Sequence, residues 1–226
     1  MDERAVDTSP EPTRVLMVDD HRTFTDLVGV ALAGEPDLEF LGAAHDRAEA
    51  RRLVGELQPD IVVMDVNLGD EDGLELSADL LSDDPELRVV VLTAHGDARV
   101  MRRAAAVGAC ALLAKDGSLP ELLAGLRGAK RGGLVVHPEL LRTLVVSDEE
   151  PTGPPMDLAL TPRELAVLQR LADGRQVNAI AKELGISVHT CRGYVRAVLS
   201  KLGAHSQLEA VVVAVMHGLV DAPRRR

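Results

Sequence analysis

Tryptophan is missing from this chain, tyrosine occurs once and phenylalanine twice in 226 residues. A core without rings must close on aliphatic side chains, and a hydrophobic content of 46% supplies them. The only cysteines, Cys110 and Cys191, lie far apart in sequence, which reads as two packed or surface thiols and not as a disulfide; no metal-type Cys/His spacing accompanies them. No apolar run approaches the roughly 18 residues of a membrane span, so no membrane partner is expected. The first residues, Met1-Asp2-Glu3, are acidic and lead into no apolar segment, which argues against a signal peptide and for a cytoplasmic protein. No G-x-G-x-x-G follows the first predicted strand, where Asp19-Asp20 stands instead, so a dinucleotide site is excluded.

The charge is unevenly spread. Residues 157–226 hold ten Lys/Arg and six Asp/Glu, whereas residues 1–156 hold fifteen and thirty, within a net charge of −11. An acidic front and a basic back describe a regulatory half joined to an anion-binding half, although +4 is too small to decide this alone.

Short apolar runs at 14–18, 38–42, 60–64, 88–92 and 109–113 alternate with helix-patterned segments. They predict an α/β fold, a doubly wound five-stranded parallel sheet over residues 14–131. Residues 1–13 are charged and Pro-containing and read as disordered. Residues 132–156, with Gly132-Gly133 and a Pro/Gly-rich acidic stretch, read as a linker. Residues 157–220 carry the marks of an all-α domain of four helices, ahead of a basic tail at 221–226. Thr161-Pro162-Arg163-Glu164 is a capping box, Gly174 and Gly185 are stops, and Ser187 and Ser206 are starts. A short helix, a glycine turn and a longer basic helix form the helix-turn-helix pattern.

Four of the apolar runs lead into polar residues: Asp19 and Asp20, Asp65, Thr93 and Lys115. Carboxyl ends of strands form the ligand crevice of an open α/β sheet, so three carboxylates, a hydroxyl and an ammonium converge. Clustered carboxylates favour a hard divalent cation, typically Mg²⁺. Together with Thr93 and Lys115 it can neutralise a phosphoryl group received by one carboxylate. Taken singly, each residue has a plainer use: Asp20 as a helix cap, Thr93 as the end of a strand, Asp65 as a loop carboxylate.

Val-Asp-Asp-His (18–21), Met-Asp-Val-Asn-Leu (64–68), Asp-Gly-Leu-Glu (72–75), Val-Leu-Thr-Ala (91–94) and Leu-Ala-Lys-Asp (113–116) resemble the receiver domain of two-component response regulators. Residues 161–216 resemble the LuxR-type helix-turn-helix, and the whole chain resembles the NarL/FixJ family. The resemblance implies that Asp65 accepts phosphate from a sensor histidine kinase. It also implies that Asp19, Asp20, Asp65 and the carbonyl of Asn67 hold Mg²⁺, and that Thr93 and Lys115 bind the phosphoryl oxygens. Two departures stand out. Gly69 replaces the family's proline four residues after the acceptor and opens an acidic stretch, from which a looser loop is expected. Leu112 replaces the family's aromatic switch residue, whose ring moves with the residue at the Thr93 position.

No acidic residue lies between Glu183 and Glu209. On a helix, Cys191, Val195, Val198 and Leu202 form one apolar stripe, leaving His189, Arg192, Gly193 and Arg196 on another face. A solvated helix face usually interleaves acids for i,i+4 pairing. An acid-free one suits the major groove of double-stranded DNA. By resemblance, Thr190-Cys191-Arg192-Gly193-Tyr194-Val195 is the reading stretch. Arg192 and Arg196 would approach bases or phosphates, Gly193 the groove, and Tyr194 a phosphate, with lesser contacts from His189, Thr190 and Lys201. The Ala/Val-rich segment 208–215 is expected to pair two copies as a homodimer. The reading is a non-enzymatic, phosphorylation-controlled transcription regulator. The alternative keeps the DNA binding but places it under a ligand or constitutive dimerisation. A free-standing aspartyl-phosphate hydrolase would need a second Asp where Asn67 stands and leaves the second domain unexplained.

Overall fold

The structure, a computed structural model, describes residues 11–94, 96–130, 135–136, 140–141 and 160–222. Strands β1 (Thr13–Val18), β2 (Leu38–Ala44), β3 (Ile61–Asp65), β6 (Arg88–Thr93) and β7 (Ala111–Ala114) form a parallel sheet in the order β2-β1-β3-β6-β7. Helices α1 (Arg22–Leu32), α2 (Arg47–Leu57), α3 (Gly73–Asp83), α4 (Ala98–Ala106) and α5 (Leu119–Lys130) alternate with these strands. The expected doubly wound five-stranded sheet is present.

Side-chain alternation explains why each strand reads as an unbroken apolar run. On β1, β3 and β6, Leu16, Val18, Val62, Met64, Val89 and Val91 enter one apolar layer. Val15, Met17, Ile61, Val63, Val90 and Leu92 enter the other. Both faces are covered, so no polar alternation is needed.

Two features depart from the sequence reading. Val135–Val136, assigned to the linker, forms a sixth strand, β8, parallel to β7. The edge of β7 carries open backbone groups, and a β-branched pair after α5 satisfies them. The acidic stretch after Asp65 folds as a hairpin, β4 (Asn67–Leu68) against β5 (Glu71–Asp72). Gly69 supplies the left-handed φ of +62° at its tip. The expected disorder of residues 1–13 falls largely outside the described residues, as do most of 132–156 and the tail from 223.

The C-terminal helices are α6 (Pro162–Ala172), α7 (Val177–Leu184), α8 (Val188–Leu202) and α9 (Gln207–Met216). Thr161 Oγ1 accepts the Glu164 amide, and Glu164 Oε2 accepts the Thr161 amide, completing the capping box. Gly185 takes φ +65° as α7 ends, and Ser187 and Ser206 cap α8 and α9. Helix α9 packs on α6 and α8, and also on α4 of the front half. One apolar cluster runs through both halves, from Met101, Ala104 and Ala105 to Val211, Val212 and Val215. Cys110 and Cys191 are both free thiols. Among the described residues no single helix is long and apolar enough to cross a membrane.

Candidate functional site

Strand register brings the polar residues together. Val18 pairs with both Ala44 and Met64, Asp65 with Leu92, and Thr93 with Ala114. Asp19 and Lys115 are the next residues after Val18 and Ala114, so all of them emerge on one edge of the sheet. Lys115 also donates its amide to the Thr93 carbonyl at 2.8 Å.

Lys115 Nζ stands 2.6 Å from Asp65 Oδ2 and 2.8 Å from Asp19 Oδ2. It also lies 5.5 Å above the centre of the Phe24 ring, where the π-face favours a cation. Asp19 is fully buried, Asp65 and Thr93 are nearly so, and Asp20 is exposed. Burial raises the Asp65 carboxyl above the ordinary range. The Asp19 charge adds to the rise, and the Lys115 ammonium and the Asn67 amide oppose it without cancelling it. Burial works against the Lys115 charge, but Asp19 and Asp65 more than compensate, and its pKa is raised.

These residues fit a hard cation. Oxygen atoms of Asp19, Asp20 and Asp65 and a ring nitrogen of His21 lie within 4.8 Å of one another. The buried Asp19 Oδ2 has no hydrogen bond of good geometry, despite its close ionic contact with Lys115. A buried acceptor left in this condition is costly, and an oxygen-seeking cation removes the cost. Asn67, whose carbonyl the resemblance nominates, is exposed at the start of β4.

The structure corrects one reading and adds two residues. Asp20 does not cap α1. His21 is the cap residue, and its amide is accepted by Asp19 Oδ1 at 3.0 Å. The His21 ring, passed over in the sequence, reaches Asp20 Oδ1 at 2.8 Å and Asp19 Oδ1 at 3.2 Å. His45, directly after β2, places Nδ1 2.9 Å from the Asp19 carbonyl, while Asp19 donates its amide to Ala44. The rule that singled out Asp65, a polar residue at the end of an apolar strand, would also have found His45.

Nor is the loop after Asp65 loose. Two of its acidic side chains are held from opposite sides: Glu71 by Arg47 of α2, whose amide it accepts at 3.0 Å, and Asp72 by Arg103 of α4. Leu112 is fully buried in the centre of β7, paired with Val91.

Helix α8 presents the second constellation. Its buried residues are Cys191, Val195, Val198 and Leu202, the expected stripe. His189, Thr190, Arg192 and Arg196 are exposed, and Gly193 is half-buried with open space where a Cβ would stand. Tyr194 is half-buried and packs on the apolar cluster. The exposed Lys201 is engaged within the domain, at 2.7 Å from Glu164 Oε2. Lys201, with the Thr161 amide, holds the Glu164 carboxyl below its ordinary range.

Comparison with known proteins places both halves of the chain in known families. Residues 15–127 match the response regulator receiver domain, and residues 158–214 match the bacterial regulatory proteins of the luxR family. The chain is 31% identical over 212 residues to the probable transcriptional regulatory protein NarL of Mycobacterium tuberculosis, covering 94% of this chain and 98% of that one. The response regulator ChrA of a heme-sensing two-component system is similar in structure, with a TM-score of 0.52 and 25% identity over 93% of this chain and all of that one. RcsB of Salmonella enterica serovar Typhimurium, solved on promoter rprA with a phosphomimetic, shares the fold. Its TM-score is 0.51 and its identity 22%, over 90% of this chain and 98% of that one.

Proposed function

Since the chain belongs to the two-component response regulators that join a receiver domain to a LuxR-family DNA-binding domain, we propose that Asp65 is its phosphoacceptor and the exposed face of α8 its DNA reader. The observation that carries this is the pairing of Lys115 with both Asp65 and Asp19 at the sheet edge, on a chain whose second domain exposes Arg192 and Arg196 without a neighbouring acid. Control by phosphorylation is favoured over the ligand-controlled alternative because Asp19, Asp65 and Lys115 meet at one edge of the sheet.

In the transfer, an Asp65 carboxylate oxygen attacks the phosphorus of a phosphohistidine on a sensor kinase. The new O–P bond forms as the N–P bond breaks, and the bonding pair leaves with the imidazole nitrogen. Lys115, already between Asp19 and Asp65, shifts its charge to the incoming phosphoryl oxygens. Thr93 ends β6 at the same edge, where its hydroxyl can hydrogen-bond to one of them. Asp19, Asp20, Asp65 and the Asn67 carbonyl would hold Mg²⁺, which when bound offsets the negative charge that accumulates on the phosphoryl group. His45 and Ala44 fix the backbone of Asp19 on the far side.

On DNA, Arg192 and Arg196 lie one helical turn apart and address one groove. Two copies bound to two half-sites would give the usual symmetric arrangement. In the described structure α9 is packed against α4. Pairing of two chains through the α4-facing side of α9 therefore requires the halves to separate first. The chain acts on transcription, with the cytoplasm as its place of work and a histidine kinase as its phosphate source.

The test is intact mass after incubation with acetyl phosphate and Mg²⁺. Wild type should gain one phosphoryl group and Asp65→Asn none. Equal gain in both would remove Asp65 from the role, and no gain in wild type would return the ligand-controlled alternative.

A further inference from the structure

The loop after the acceptor is connected to the DNA-binding half through contacts of α4. Asn67 pairs directly with Asp72 across the β4–β5 hairpin. Gly73 lies so close behind Asp65 that a Cβ there would fall 1.8 Å from the Asp65 carbonyl oxygen, and its amide is bonded to Val66 at 2.9 Å. A displacement of Asp65 or Asn67 is therefore felt at Asp72. Asp72 divides its carboxylate: Oδ1 caps α3, accepting the Leu74 and Glu75 amides, and Oδ2 meets Arg103 Nη2 at 2.5 Å.

Arg103 sits on α4, which buries Ala98, Met101, Ala104 and Ala105 and packs on α9. A second joint lies just before α4. A Cβ at Gly96 would fall 1.9 Å from Leu140 Cδ2, so Leu140 rests on the chain just before α4. The route that the family's switch aromatic would provide is filled by Leu112, an aliphatic side chain locked in the sheet.

We propose that Arg103 is a positioning residue of the switch: through Asp72 it makes α4, and with it the α4–α9 contact, follow the state of the acceptor loop. This rests on the phosphorylation reading given above. A charge-assisted bond to a helix cap is directional, and a nine-residue helix moves as one body, so a shift at Asp72 arrives at the packed face of α4. Partial burial alone would raise the Asp72 carboxyl. The guanidinium and the two amides outweigh it and hold the carboxyl below its ordinary range. The hairpin's other arginine, Arg47, ties Glu71 to α2 and has no part in the α4–α9 joint. It is the matched control.

The experiment uses the full chain as wild type, Arg103→Ala, Arg103→Lys, Asp72→Asn and Arg47→Ala. Asparagine keeps the cap on α3 while removing the charge that Arg103 answers, so Asp72→Asn tests the bond even if Arg103→Ala folds poorly. Each protein is phosphorylated with acetyl phosphate and Mg²⁺, and the phosphorylated fraction is read by intact mass. Affinity is measured, with and without phosphate, for a duplex selected from random sequence with phosphorylated wild type. Arg103→Ala and Asp72→Asn should take up phosphate like wild type, yet their ratio of affinities should fall to within about twofold of one. Arg103→Lys and Arg47→Ala should keep most of the wild-type ratio. A wild-type ratio in Arg103→Ala and Asp72→Asn overturns the route, and so does an equal loss in Arg47→Ala, which would mean general loosening. Failure of Arg103→Ala to accept phosphate would move the residue into the acceptor site and overturn it too. Wild type that accepts phosphate but binds DNA unchanged removes the phosphorylation control itself, and the route with it.

Discussion

The two polar constellations treat charge in opposite ways. At the sheet edge Lys115 answers Asp65 and Asp19 within 2.8 Å, and Asp19 is sealed from solvent. On α8, Arg192 and Arg196 are exposed, and the sequence places no acid between Glu183 and Glu209. A buried charge must be neutralised where it sits, because the interior gives no hydration in return. An exposed cation pays no such penalty and can wait for a partner with dense negative charge. The first constellation is thus poised to exchange one counter-charge for another, and the second to gain one. Lys201 shows the boundary between them: though exposed, it is already engaged by Glu164.

The largest effect should come from the waiting charges. Arg192→Ala or Arg196→Ala should each cost about 1–3 kcal/mol per half-site, with relaxed specificity if the contact is bidentate to a guanine. A pure phosphate contact would instead weaken all duplexes alike and lower the salt slope by about one. Lys201→Ala should cost less, since its ammonium is spoken for. Titrations on selected and scrambled duplexes at several salt concentrations separate these outcomes. Wild-type affinity in both arginine variants would break the comparison, because α8 would then not be the reader.

The sealed charges should respond in stability. Asp65 has a raised carboxyl pKa in the folded state, so the folded chain holds its proton more readily than the unfolded one. The group's contribution to stability is then most favourable at low pH. It declines as pH rises from the ordinary carboxylate value of about 3.9 through the raised one. Above that window the ionised carboxylate is a constant cost, so Asp65→Asn should stabilise the protein at pH 7 and lose that advantage near pH 4. Mg²⁺ should stabilise wild type too, by about 1.4 kcal/mol at a tenfold excess over its Kd, and Asp65→Asn should respond less. Urea denaturation at the two pH values reads both effects. A variant less stable than wild type at pH 7 would show that the Lys115 pairing outweighs burial and that this site, too, is at rest.

Legibility in the sequence followed the same division. Strands β1, β3 and β6 were readable because both faces are buried, which leaves β-rich apolar runs with abrupt polar ends. The stripe of Cys191, Val195, Val198 and Leu202 was readable because one face of α8 is buried and the other is not. The β4–β5 hairpin was not, since its two-residue strands have no period to detect and its acids look solvated until Arg47 and Arg103 arrive from distant helices. Nor was β8, where two valines after a double glycine owe their strand to the open edge of β7 and not to their own pattern. His45 is a partial case: it follows its strand as Asp65 ends β3, and the rule for polar strand ends reaches it, but the small residues that close Leu38–Ala44 blur where that strand stops.

The smallest expected effect concerns how far the two constellations communicate. Leu112 is fully buried between strands, and leucine has no ring whose inward or outward state could record the position of Thr93. The polar link from the acceptor loop to α4 is the Asp72–Arg103 bond, with side chains 31% and 38% exposed. Solvent screening holds such pairs to roughly 1 kcal/mol or less. A coupling of that size changes an equilibrium by about fivefold, so phosphorylation should alter DNA affinity or self-association only modestly. Sedimentation and DNA titration of the same protein, before and after acetyl phosphate treatment, measure it directly. A hundredfold change would require nearly 3 kcal/mol of coupling, more than an exposed ion pair supplies. The weight would then fall on the apolar joint between α4 and α9, where separating two greasy faces can release energies of that order. In that event the sealed crevice would govern the waiting helix by packing, and the charge on Arg103 would only set its direction.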